Sequence, residues 1–289
     1  MSWSILPQRE ERLPPKWKAV TDMIREPAVA GQFYSADPKD LTRTLQSLLQ
    51  PPANPVKARA VLSPHAGYIY SGGVAGAVFS YVRVPDRFII LGPNHTGIGS
   101  PLSLYPSGQW RTPLGLAAID SELNGMLLKE CPMLQEDWTA HAQEHSLEVQ
   151  IPFLQTLVTG FKFSAICVGT TSYPTLEELG HALARVLASV PYPVLIISSS
   201  DMNHYESAAV GARKDRYAIE QVLAVDPAGL FQVVREKNIS MCGFAPTVAA
   251  LTACRDLGCS QGILIRYANS GDASGDNDRV VGYAGMAIT

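Results

Sequence analysis

The chain has 289 residues, a formal charge of -3 and 46% hydrophobic residues, a composition that belongs to soluble globular proteins and excludes disordered or collagen-like ones. Its slight acidity offers no general attraction to nucleic acid or anionic lipid, and no stretch approaches the ~18 apolar residues of a membrane span. Five cysteines at irregular spacing argue against a disulfide framework and for a reducing, cytoplasmic setting.

Residues 1–26 mix charges with prolines and lack the apolar core of a secretory signal, so they read as a polar extension. Residues 27–289 read as one domain. Asp37 and Pro38 suit the N-cap and first turn of a helix over 38–49. The turn-rich "PPANPVKA" leads to a first strong strand over 60–63. Four more apolar, β-branched runs follow: "RFIILGPNH", "FKFSAICVG", "PVLIISSSD" and "GILIRYANSGD". Near-continuous hydrophobicity, as opposed to alternation, marks strands covered on both faces. Between the runs lie helical segments, "SGGVAGAVFSYV", "SLEVQIPFLQTLV", "TLEELGHALARVLASV", "DPAGLFQVVREKN" and "APTVAALTACRDLG", the last stopping at Gly258. Alternation of this kind predicts an α/β fold with a mostly parallel or mixed central sheet flanked by helices. The closing "VVGYAGMAIT" fits a further, antiparallel strand.

The ends of these strands carry the chemistry. His65 ends one, Asn94 and His95 the next, Asp201, Asn203 and His204 a third, and Asn269, Ser270 and Asp272 a fourth. In open α/β sheets, ligands bind beyond the carboxyl ends of the strands. Three of the chain's six histidines occupy such positions, which favours a site over scattered structural imidazoles. In "TAHAQEHSLEVQ", His141 and His145 are four apart and suit one face of a helical turn, although the pattern is not that of a HExxH metalloprotease. Cys242 precedes a glycine and a helix start, where the dipole and free N–H groups favour a thiolate. Two imidazoles from adjacent strand ends plus one anionic ligand make a metal site with open positions. His145, Asp201 and His204 then serve as orienting or proton-transfer residues.

Seven stretches in order, "PAVAGQFYSADP", "SPHAGYIYSGGVAG", "ILGPNHTG", "EHSLEVQIPFLQ", "SSSDMNHY", "CGFAP" and "ANSGDASGD" with "VVGYAG", resemble the Memo family, whose bacterial and archaeal members are called AmmeMemoRadiSam system protein B. The resemblance covers residues 27–289. It implies a fold similar to the class III extradiol ring-cleaving dioxygenases, with metal-binding positions at His65, His95 and Cys242 and an acid/base at His204 beside Asp201. Those dioxygenases use a glutamate where Cys242 stands, a departure that bears on ring cleavage itself. The resemblance further implies a transition metal ion, iron or copper ahead of zinc. It also implies association with an AMMECR-type protein and a radical S-adenosylmethionine enzyme.

Three readings of the cleft follow: redox or oxygenase-type chemistry at a metal, a non-catalytic module that binds a small molecule or peptide, and metal-assisted hydrolysis. In the second, Ser198 to Ser200, Asn94 and Asn269 are the expected hydrogen-bonding groups. The serines of "SSSDMNHY" lack a GxSxG elbow, and "SGGVAG" lacks both the GxGxxG spacing and a P-loop lysine. Neither a serine hydrolase nor a nucleotide cofactor is indicated.

Overall fold

A computed structural model describes residues 23–50 and 54–289. The strands are β1 (Ile24–Arg25), β2 (Ala60–Ser63), β3 (Arg87–Pro93), β4 (Leu102–Leu104), β5 (Gln109–Thr112), β6 (Gly115–Ile119), β7 (Gln135–Glu136), β8 (Lys162–Val168), β9 (Leu195–Ser199), β10 (His204–Glu206), β11 (Gly262–Asn269) and β12 (Val280–Ile288). The helices are α1 (Pro38–Leu48), α2 (Tyr68–Tyr81), α3 (Ser121–Glu130), α4 (Ile151–Leu157), α5 (Tyr173–Ser189), α6 (Ala208–Leu223), α7 (Pro227–Glu236), α8 (Phe244–Asp256) and α9 (Gly271–Ser274). Asp37 caps α1 as its sequence position implies, accepting from the Lys39 and Asp40 N–H groups.

One mixed sheet of 12 strands has the order β1-β5-β6-β8-β3-β9-β2-β12-β10, with β11 beside β12 and β4 beside β8 and β7. Its centre, β8, β3, β9 and β2, is parallel, and β12 joins β2 antiparallel. Side-chain alternation explains the unbroken hydrophobic runs. On β3, Phe88 and Ile90 enter one core with α1, α2 and α4, while Ile89 and Leu91 enter the other with α3, α5, α7 and α8. Leu195 and Ile197 of β9 point with the first pair and Ile196 with the second. A strand sandwiched this way needs an apolar residue at every position.

Chain order and spatial order differ where it matters. The strands that end in His65 and His95 are not neighbours: β9 lies between β2 and β3. The chain leaves β3 outward to β8, then returns through α5 to insert β9 into the middle. Such a reversal opens a crevice at the carboxyl edge of an α/β sheet. At the other margin, Ile24 and Arg25, the end of the segment read as an extension, pair with β5, and Arg25 is buried.

Candidate functional site

At that edge the loops after β2, β3 and β9, the start of β10, the turn before α8 and the segment ahead of α4 surround a cleft of about 590 Å3. His65, His95, His145, Asp201, His204 and Cys242 all line it, together with Phe33, Tyr205 and Val281.

Hydrogen bonding fixes the tautomer of His65. Ser199 Oγ donates to the Ser146 carbonyl at 2.6 Å and accepts from Gln150 Nε2 at 2.9 Å. Only accepting capacity then remains for His65 Nδ1, 3.0 Å away. Nδ1 therefore carries the proton, and Nε2 presents its lone pair to the cleft. Burial, reinforced by the neighbouring His145 and His95, holds the imidazole well below its usual pKa of 6.5, so it stays neutral.

His95 holds its Nδ1 proton by another route, and Glu144 raises its pKa above 6.5 where that of His65 is lowered. Its Nδ1 donates to Glu144 Oε1 at 2.9 Å, and its backbone N–H donates to Oε2 at 2.6 Å. Glu144 is fully buried, and burial works to raise its pKa. The bond and charge of His95 and the Ser146 N–H outweigh that and bring it down to about 2. An ionised carboxylate only accepts, so His95 likewise offers Nε2 as its ligand atom.

His145 stacks on His95, with ring centroids 4.6 Å apart and planes 18° from parallel. Ligand nitrogens of His65, His95 and His145 lie within 4.8 Å of one another. Nitrogens around one tetrahedral ion, each at about 2.1 Å, stand roughly 3.4 Å apart. The three could hold a metal once their rings close in around it. Gly92 makes this approach feasible: a Cβ there would press on Ser146 Oγ at 2.6 Å and on the Leu147 side chain at 2.7 Å.

Cys242 Sγ lies 3.1 Å from His65 Nε2 and accepts the Asp201 N–H at 3.3 Å. Gly243 permits this closeness, because a Cβ at that position would collide with the Ser199 carbonyl and the Ser200 side chain. The thiol differs from the sequence expectation. Burial, followed by the Asp201 charge, pushes its pKa up and outweighs hydrogen bonding from the Asp201 backbone, Ser200 and the Gly243 backbone. Coordination to a cation is what would release the proton.

Asp201 is buried, accepts the His65 N–H on Oδ1 at 2.8 Å, and has its pKa raised by burial. His204 Nδ1 lies 2.8 Å from the Ser240 carbonyl. A carbonyl can only accept, so Nδ1 is protonated and Nε2 is the basic nitrogen. Tyr205, next in the chain, has φ 62° and is 66% exposed, an unusual backbone state for an aromatic residue.

Other candidates have structural duties. His141 is buried against Tyr105 and Trp110, donates through Nε2 to the Ser103 carbonyl at 3.1 Å, and is lowered by burial to about 4. The structure thus separates it from His145, because the segment forms short 3-10 turns over Thr139–His141 and Glu148–Gln150 in place of one helix. Ser198 bonds Thr247, Ser199 orients His65, and Ser200 accepts the Gly243 N–H. None of the three lines the cleft. Asn94 and Asn269 brace their own turns. Asp272 accepts the Asn269 N–H and Ser270 the Val281 N–H. Glu144, Ser199 and Gln150 were absent from the ligand set drawn from the sequence. The available signal was "EHSLEVQ", where acidic and amide residues sit among positions that the apolar pattern requires to be buried.

Fold and site together define an α/β protein with a histidine-rich cleft, suited to a metal, at the switch point of its sheet. The chain belongs to the Memo family: a family model described as Memo-like protein matches residues 25–287. A MEMO1 family protein of Methanopyrus kandleri is 42% identical over 280 residues, covering 92% of this chain and 99% of its own. One from Aquifex aeolicus is 41% identical over 265 residues, covering 91% and 98%. Another, from Methanothermobacter thermautotrophicus, is 38% identical over 277 residues, covering 92% and 100%.

Proposed function

We propose that the cleft binds a transition metal ion, iron or copper ahead of zinc, and performs redox or oxygenase-type chemistry on a small molecule in the cytoplasm. The ligands in this proposal are His65 Nε2, His95 Nε2 and Cys242 Sγ, with His145 near enough to supply a fourth donor. The observation that carries it is the convergence of three imidazoles, two of them with Nδ1 held by a hydrogen bond, with the Cys242 sulfur 3.1 Å from His65 Nε2. A mixed nitrogen and sulfur set suits copper, iron and zinc. The likeness to ring-cleaving dioxygenases that the Memo resemblance implies favours the first two.

A bound ion would polarise a coordinated substrate and exchange electrons with it. The chain's own residues supply the rest. His204 Nε2 accepts a substrate proton, because the Ser240 carbonyl keeps Nδ1 protonated. Asp201 stabilises the resulting imidazolium by its charge. Phe33 and Val281 narrow the space available to water.

Metal content after anaerobic purification tests the proposal. Near-stoichiometric iron or copper is expected in the wild type, with loss in His65→Ala, His95→Ala and Cys242→Ala. A wild type that binds no transition metal at micromolar concentration overturns it. A second reading, a peptide-binding module, draws support from the exposed Ile69, Tyr70 and Tyr205. It requires binding that survives metal removal and is lost in Tyr205→Ala.

A further inference from the structure

Cys242 stands at the N-terminus of α8, and a pair of sulfurs that the cleft chemistry does not use lies at its other end. There Gly258 adopts φ +83° and its N–H donates to the Arg255 carbonyl at 3.0 Å, while the Cys259 N–H reaches back to the Cys254 carbonyl at 2.9 Å. This double bond pattern is the Schellman C-cap, which sets the side chains of its first and last residues against each other. The contact is ordinarily apolar. Here both residues are cysteines, joined by the backbone bond from the Cys259 N–H to the Cys254 carbonyl. A disulfide needs Cα atoms roughly 5–6 Å apart, and the backbone bond between the two residues keeps their main chains close.

The two thiols are not equivalent. Cys254 is fully buried, whereas Cys259 is half-buried and lines a pocket of about 260 Å3 with Lys57 and Arg59. The neighbouring Cys254 thiol, aided by the Arg59 charge, lowers the Cys259 pKa, while the Cys259 thiol and burial raise that of Cys254. The more accessible thiol is therefore also the more acidic one, and its neighbour at the other end of the cap is enclosed. Attacking and resolving cysteines have this division of roles.

We propose that Cys254 and Cys259 form a peroxide-responsive dithiol that closes reversibly to a disulfide, a redox modification site independent of the metal proposal. The Cys259 thiolate attacks one oxygen of hydrogen peroxide, the O–O bond breaks, and hydroxide leaves as Cys259 becomes a sulfenic acid. Cys254 sulfur then attacks the Cys259 sulfur, its proton goes to the departing hydroxyl, and water leaves. In sum, two thiols give two electrons to one peroxide, which becomes two waters.

The test treats the full chain with hydrogen peroxide, alkylates the remaining thiols and digests with trypsin without reductant. Trypsin cuts after Arg255, so a disulfide is the only bond that can join the Cys254 peptide to the Cys259 peptide. The Cys254 peptide also carries Cys242, and fragment-ion sequencing assigns the linkage. The proposal expects a Cys254–Cys259 link that dithiothreitol reverses and a sulfenic acid trapped on Cys259 in Cys254→Ser. Cys259 remaining alkylatable throughout, or linking to Cys242 in its place, overturns the proposal, as does direct oxidation of Cys254 in Cys259→Ser.

Discussion

The Glu144 carboxylate is enclosed completely and still ionised, because it accepts from the His95 ring, the His95 backbone and the Ser146 backbone at once. Glu144→Gln keeps the size but removes the charge that holds Nδ1 of His95 protonated. Metal affinity should fall about 10–100-fold, the usual cost of losing such an orienting partner, as read by titration with iron(II) or copper. The same pair gives opposite pH trends with and without metal. Burial pulls His95 down, but the bond and charge of Glu144 outweigh it and raise the folded pKa above 6.5. Without metal, its contribution to stability is fully present below 6.5 and is lost as pH rises through the folded value. Metal requires the neutral ring, so affinity should rise with pH over that same window. Melting temperatures with and without a chelator, followed from pH 5 to 9, should diverge upward; parallel curves would contradict the role given to His95.

Among the elements, β1 locks the segment that carries Glu144 and His145. Arg25 pairs with Glu148 at 2.6 Å, donates to the His141 and Glu144 carbonyls and lies over the Trp110 ring. Both partners are buried, so Arg25→Ala leaves the Glu148 carboxylate without its cation, with only the Ala28 and Val29 N–H groups and the Tyr34 hydroxyl still donating to it, and should cost about 3 kcal/mol in denaturant unfolding. Gly243→Ala is expected to retain the fold but to displace Cys242, weakening metal binding more than stability. The difference between these elements explains what the sequence could convey. Strand β2, the Asp37 cap and the stop at Gly258 depend on local patterning or backbone rules and were readable. The antiparallel excursion of β4, β5 and β6 with α3, and the helix α6, were not read, because their short or charged segments give weak periodicity. Arg25 itself lay in a segment whose composition looks like an extension, and only a partner 123 residues away makes it part of the core.

At the scale of the molecule, two cores share one sheet, and the cleft opens where β9 inserts between β2 and β3. Of the four strand ends read as chemical, those of His65, His95 and Asp201 to His204 meet at the cleft and that of Asn269 to Asp272 does not, while Cys242 stands beside His65. The spatial order was not legible, since hydrophobic runs specify burial on two faces and not which strand is the neighbour. Nor did spacing reveal that His145 joins the imidazole pair while His141 leaves it. If the cleft ties these strand ends together through an ion, metal should stabilise the whole fold. At a free concentration 100 times Kd the gain is about 2.7 kcal/mol, visible as a higher melting temperature that His65→Ala abolishes. The most direct measurement is anomalous diffraction at the iron and copper edges from crystals of anaerobically purified protein. One element-specific peak within bonding distance of His65 Nε2, His95 Nε2 and Cys242 Sγ is predicted. A cleft that shows no such peak after soaking in either metal, or a peak bound elsewhere, would contradict the account.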